Sequence, residues 1–222
     1  METPLLCASA PLWLTAEVIA WSLLLQLLLG GSLAWLLARR TGALYQLLDL
    51  LVTLPLVFPP IVLGYGILLL LGRQGWLAQW LPEALQPHIV FTPTGLVIAA
   101  FVAGLPLMIK PAQNAFAATP ASLREASATL GCTPWQTFWQ VELPLAQRGL
   151  AAGLVLAGGR ALGEVGLSLM LGGNIVGRTE TLSLAIFNQV LDGNLDCANQ
   201  LSLLLCLLAV PVFLLLRRLG TV

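Results

Sequence analysis

Five long apolar runs, at residues 12–38, 50–71, 94–109, 149–171 and 197–216, decide what this chain can fold into. A helix rises about 1.5 Å per residue, so about 20 apolar residues cross the ~30 Å hydrocarbon core of a bilayer. Inside lipid every backbone amide must find its partner within the protein, and a continuous apolar run does that as a helix. The pattern therefore predicts an all-α, polytopic membrane protein of about five transmembrane helices. It forms a single membrane domain over residues 1–222, with no soluble domain. Composition agrees: 58% of residues are hydrophobic, 9% are charged and the mean hydropathy is +0.91. Soluble domains carry about 25% charged residues.

The few charges orient the runs. Basic residues near span ends are retained on the cytoplasmic side. With five spans and an outer N-terminus, Arg39, Arg40, Lys110, Arg124, Arg148, Arg217 and Arg218 all face inward. Arg73 and Arg178 then lie outside, together with Glu83, Glu180, Asp192 and Asp196. Met1 to Pro11 lack Lys and Arg, and the run that follows is too long for a signal peptide, so it is expected to stay as a span. The net charge is zero and the basic residues are scattered, which argues against a nucleic-acid partner. Cys7, Cys132, Cys197 and Cys206 show no paired spacing, and His88 is the single histidine, so no metal site is expected. The outer connections, at residues 72–93 and 172–196, have room for short interfacial helices, with Trp76 and Trp80 suited to the headgroup zone.

The inner connection, residues 110–148, is the longest cytoplasmic segment and carries helix signals in close order. Ser122 with Glu125 three residues on has capping-box spacing, and Gly131 can close the short helix that follows. Thr133 and Pro134 have the types of an N-cap and a first helical residue. Trp135, Phe138 and Trp139 then share one face at helical spacing. On pattern alone this is a helical hairpin lying on the inner membrane surface with its aromatic face down.

Its residues also carry a family resemblance. Glu125-Ala126, then Gly131, then Val141 and Leu143-Pro144 at fixed spacing resemble the EAA loop of type I ATP-binding-cassette importer permeases. Ser127 stands where that family usually has a second alanine, an equally small residue. The run from Leu54 to Tyr65 with its Pro55, Pro59 and Pro60, the Gly72-Arg73-Gln74-Gly75 turn and Arg160-Ala161-Leu162-Gly163-Glu164-Val165-Gly166 are similar to molybdate/tungstate permeases. So are Asn174-Ile175 and the segment from Arg178 to Thr181, so that the likeness covers most of the chain from Leu12 onward. Sulfate permeases share much of the pattern.

The resemblance implies a type I importer permease fold in a bacterial inner membrane, with the N-terminus periplasmic and the C-terminus cytoplasmic. It implies that Arg124, Glu125, Ala126, Gly131, Val141, Leu143 and Pro144 belong to a segment that docks on a cytoplasmic ATPase dimer. That partner would use ATP and Mg²⁺, while this chain binds no cofactor. A second copy of the chain, a periplasmic oxyanion-binding protein and membrane lipid complete the implied partners. The cargo would be a tetrahedral oxyanion moved by alternating access.

Polar and broken places mark the membrane part. Pro55, Pro59 and Pro60 each remove an amide donor from the second run, giving either a packed kink or a pathway-lining bend, with Tyr65 nearby. Arg160 and Glu164 stand at i, i+4 around Gly163, and read either as a buried structural pair or as pathway residues. No catalytic residues are assigned. The single lysine, in Ile109-Lys110-Pro111, does not form a P-loop, so nucleotide hydrolysis must come from elsewhere. Two other classes remain open: an intramembrane serine enzyme, for which Ser168 has only His88 as a possible base, and a passive channel.

Overall fold

The computed structural model describes residues 4–72, 75, 76, 79 and 89–220, and every regular element among them is helical. Arg73, Trp80, Glu83 and His88, placed on the outer side above, lie outside the described residues.

The first apolar run is one long helix in three parts: α1 (Pro4–Leu25), a π-helical turn (Gln26–Gly30) and α2 (Gly31–Arg39). Its stretch Ala10–Arg39 is long and apolar enough to cross a membrane. Gln26, which interrupts that stretch, is fully buried, and its Nε2 donates to the Phe101 carbonyl at 2.7 Å.

The second run is broken rather than kinked. α3 (Ala43–Val57) and α4 (Pro60–Leu71) are separated by Phe58 and Pro59, both extended. Each precedes a proline, which drives a residue out of the helical region, and Pro59 and Pro60 in succession remove two amide donors. Pro55 alone is carried inside α3.

The third run continues where a stop is expected. α5 (Pro93–Ala117) passes through Lys110 and Pro111, so the inner connection begins at residue 118 and not at 110. The Lys110 Nζ reaches both carboxylate oxygens of Asp49 on α3, at 2.6 and 2.7 Å, which removes the charge as a reason to end the helix. Met108, Ile109, Ala112 and Phe116 are buried against Ala34, Leu37, Val52, Ala146 and Leu150, and this burial offsets the bond that Pro111 forfeits.

The fourth run is also divided. α8 (Leu143–Leu162) and α9 (Gly166–Gly172) meet at 67° across residues 163–165. α8 starts at residue 143, before the expected 149, and lies against α5, where a Cβ on Gly153 would stand 2.6 Å from the Met108 carbonyl. Only a glycine allows that approach.

α10 (Leu182–Leu191) occupies the connection between the fourth and fifth runs and buries one face in the protein. Leu182 and Ala185 are buried with Cys197 and Leu201, and Leu184 with Val18, Leu96 and Ala100. α11 (Leu195–Gly220) is the last element. Among the described residues, Ala10–Arg39 and Pro93–Ala117 span by length and composition, and the bent pair ending in α9 makes a third. α3, α4, α10 and Leu195–Pro211 are shorter apolar helices.

Candidate coupling hairpin and broken-span site

The connection between α5 and α8 folds as a hairpin of α6 (Ala121–Thr129), α7 (Pro134–Thr137) and a π-helical turn (Phe138–Glu142) that runs into α8. The expected capping box at Ser122 does not form. Pro120 holds the N-cap position without a side-chain bond, so Ser122 and Glu125 fall inside the helix. The preceding Thr119-Pro120 turn sets the start because proline fixes its own φ. Gly131 closes α6 as expected, at φ +85°, a left-handed value that favours glycine. The real capping box lies at α7: the Thr133 amide donates to Gln136 Oε1 at 2.8 Å and the Gln136 amide to Thr133 Oγ1 at 3.3 Å.

Two sets of contacts make the hairpin one unit. Ser127 Oγ donates to the Arg124 carbonyl at 2.9 Å, which leaves the Thr137 hydroxyl, 2.8 Å away, to donate to Ser127. The residue that departs from the EAA pattern thus stitches α6 to α7. Phe138 stacks on Trp135 at 5.8 Å and meets Trp35 of α2 edge-on at 5.4 Å and Phe116 of α5 at 6.3 Å. The aromatic face is therefore turned partly onto the protein, and Phe138 binds the hairpin to two spans. Outward stand Glu125 and Ala126, Leu130 at 83% exposure and Trp135 at 68%. Arg124, Val141 and Leu143 are half-buried, and Pro144 is exposed in the first turn of α8, where a missing amide donor costs nothing.

The two broken runs meet at their breaks. A Cβ on Gly166, the first residue of α9, would lie 3.0 Å from Pro60 Cβ and 3.2 Å from the Ile61 amide nitrogen. One on Gly64 would lie 2.8 Å from Met170 Cβ. α4 thus runs along α9, with Pro60 and Ile61 against Gly166. Arg160 and Glu164 pair at 2.6 Å, Glu164 buried and Arg160 about one-third exposed. Glu164 also does local work: its Oε1 accepts the Leu167 amide at 2.8 Å and so caps α9. The Ser183 hydroxyl donates to the Leu162 carbonyl at 2.5 Å, at the end of α8. One amide at the start of α9 and one carbonyl at the end of α8 thereby find partners within the protein. Tyr65 is 54% exposed and Gly163 is exposed, so neither is sealed inside the protomer.

Gln26, Ser183 and Glu142 are among the buried polar residues that received no role from sequence. Gln26 and Ser183 bond to carbonyls of other elements, and Glu142 pairs with Arg39 and accepts from Trp35 Nε1 at 2.7 Å. Their signal was present, since a polar residue in or beside an apolar run must find a partner. Among the described residues no group of three His, Cys, Asp or Glu side chains is placed to hold a metal.

Residues 26–221 match the family described as the binding-protein-dependent transport system inner membrane component. The chain belongs to that family. It is a polytopic membrane permease subunit. It is 38% identical over 181 residues to the molybdenum transport system permease protein ModB of Azotobacter vinelandii, covering 82% of this chain and 80% of the relative. It is 36% identical over 177 residues to ModB of Escherichia coli K12, covering 80% and 77%. The sulfate transport system permease protein CysW of Synechocystis is 32% identical over 204 residues, covering 92% and 74%.

Proposed function

We propose that this chain is the membrane half of an ATP-driven importer that moves molybdate across a bacterial inner membrane. The observation that carries the reading is the hairpin at residues 121–142. It offers Glu125, Ala126, Leu130 and Trp135 outward, and is fixed through Phe138 and the π-helical turn to three spans. Such a piece transmits a push as a rigid body. A cytoplasmic ATPase dimer with ATP and Mg²⁺ docks there, and the exposed apolar residues supply the contact.

The five runs act as five spans, α3–α4 and α8–α9 each as one broken crossing, with the N-terminus periplasmic and the C-terminus cytoplasmic. Five spans enclose no gated route alone, so a second copy faces the first across a two-fold axis. Pro59, Pro60, Tyr65, Arg160 and Gly163 line or border the path, where irregular backbone is tolerated because it faces a cavity and not lipid. Glu164 holds Arg160 and caps α9. A periplasmic binding protein delivers the anion. ATP drives the cycle because it binds the inward- and outward-facing states with different affinity.

Co-purification of the permease from membranes, combined with labelled molybdate uptake, tests this. An associated ATPase and ATP-dependent uptake that excess tungstate suppresses and sulfate does not are expected. Sulfate competing equally would move the cargo toward that of the CysW relative. Uptake in vesicles without nucleotide would make the chain a passive channel.

A further inference from the structure

Glu142 is 1% exposed, at the last position of the π-helical turn that joins the hairpin to α8. A buried carboxylate is costly, and an apolar residue of similar size serves stability as well or better, so stability alone does not account for it. Its two partners both come from the end of the first span, about a hundred residues away in sequence. The carboxylate pairs with the Arg39 guanidinium, and Oε2 accepts from Trp35 Nε1 at 2.7 Å. Arg39 is the last residue of α2, and its guanidinium stands 5.1 Å from the Trp35 ring centroid. Trp35 in turn meets Phe138, four residues before Glu142.

An irregular turn stands between the segment so gripped and the rest of its span. A second π-helical turn, Gln26–Gly30, lies between α1 and α2, and such turns are irregular places where a helix changes direction or register. α2 can therefore follow the hairpin while α1 keeps its own contacts, among them the Thr15 hydroxyl that accepts the Leu182 amide at 2.8 Å.

We propose that Glu142, Arg39 and Trp35 form a joint that carries movement of the hairpin into the first span, in parallel with its covalent continuation into α8. Glu142 and Arg39 are positioning residues: they touch neither cargo nor ATPase and act by coupling two spans to one lever. The proposal rests on the hairpin being the ATPase-docking segment.

The test compares labelled molybdate uptake with ATP hydrolysis in the assembled transporter, both normalised to permease in the membrane. Glu142→Gln keeps an acceptor for Trp35 and removes the charge. Its transport per ATP hydrolysed is expected to fall about tenfold, within the usual range of coupling between sites, while hydrolysis stays within about twofold. The exchange variant R39E/E142R restores the ion pair but offers Trp35 Nε1 no acceptor at residue 142, so it is expected to recover part of the ratio, which a merely structural defect would not allow. A native ratio in Glu142→Gln overturns the joint, as does a loss that the exchange does not relieve. Should Glu142→Gln fail to accumulate, Trp35→Phe is read in the same way, since it removes only the indole donor. Absence of ATP-driven uptake by the native chain would sink the functional reading, and that failure is seen in a different sample.

Discussion

Arg160 and Glu164 show how one pair can serve two ends. Glu164 spends one oxygen on the Leu167 amide and the other on Arg160, so removing Arg160 leaves a buried carboxylate half-satisfied. Arg160→Gln is expected to cost about 2 kcal/mol, between the values for exposed and fully buried pairs. Thermal unfolding in detergent would read this, and R160Q/E164Q is expected to recover most of the loss. The sequence placed the two residues on one helix face and left their role open, because the amide that Glu164 caps exists only where the helix breaks. Glu142 was harder still. Its partners lie in another span, and no local spacing connects residue 142 to residues 35 and 39.

Elements were legible by length and less so by continuity. The apolar runs marked the long helices, since a continuous apolar stretch satisfies its backbone in lipid as a helix, whereas α6, α7 and α10 lie outside the runs. Pro59-Pro60 announced a disturbance, though not that α3 and α4 would separate outright. The α8–α9 bend carries no proline, and one group at each of its ends is bonded, the Leu167 amide to Glu164 and the Leu162 carbonyl to Ser183. Lys110-Pro111 misled in the other direction, because Asp49, 61 residues earlier, neutralises the lysine. The packing of α4 on α9 makes a sharp contrast between two neighbouring glycines. A Cβ on Gly64 meets Met170 at 2.8 Å and the Leu167 Cα at 3.3 Å, whereas one on Gly66 meets nothing within 4 Å. Gly64→Val is expected to cost about 1–3 kcal/mol by overpacking, and Gly66→Val less than about 0.5 kcal/mol. Melting of the two variants side by side measures the difference.

At the scale of the molecule, the two ends differ in what they expose. The hairpin end holds Cys132, half-buried beside Gly131, and the opposite end holds Val176 at 75% exposure. With the hairpin in the cytoplasm, an impermeant maleimide is expected to label Cys132 in inverted vesicles and a Val176→Cys variant in right-side-out ones. The reverse pattern would place the hairpin where no cytoplasmic ATPase reaches it. The expectation of this orientation comes from the charge distribution, since seven of the basic residues gather on one side of the five runs.

α5 is buried along much of its length, from Leu96 and Ala99 through Gly104 and Met108 to Phe116, with neighbours drawn from α2, α3, α8 and α9. Packing on four neighbours sets its tilt more than the thickness of a surrounding bilayer does.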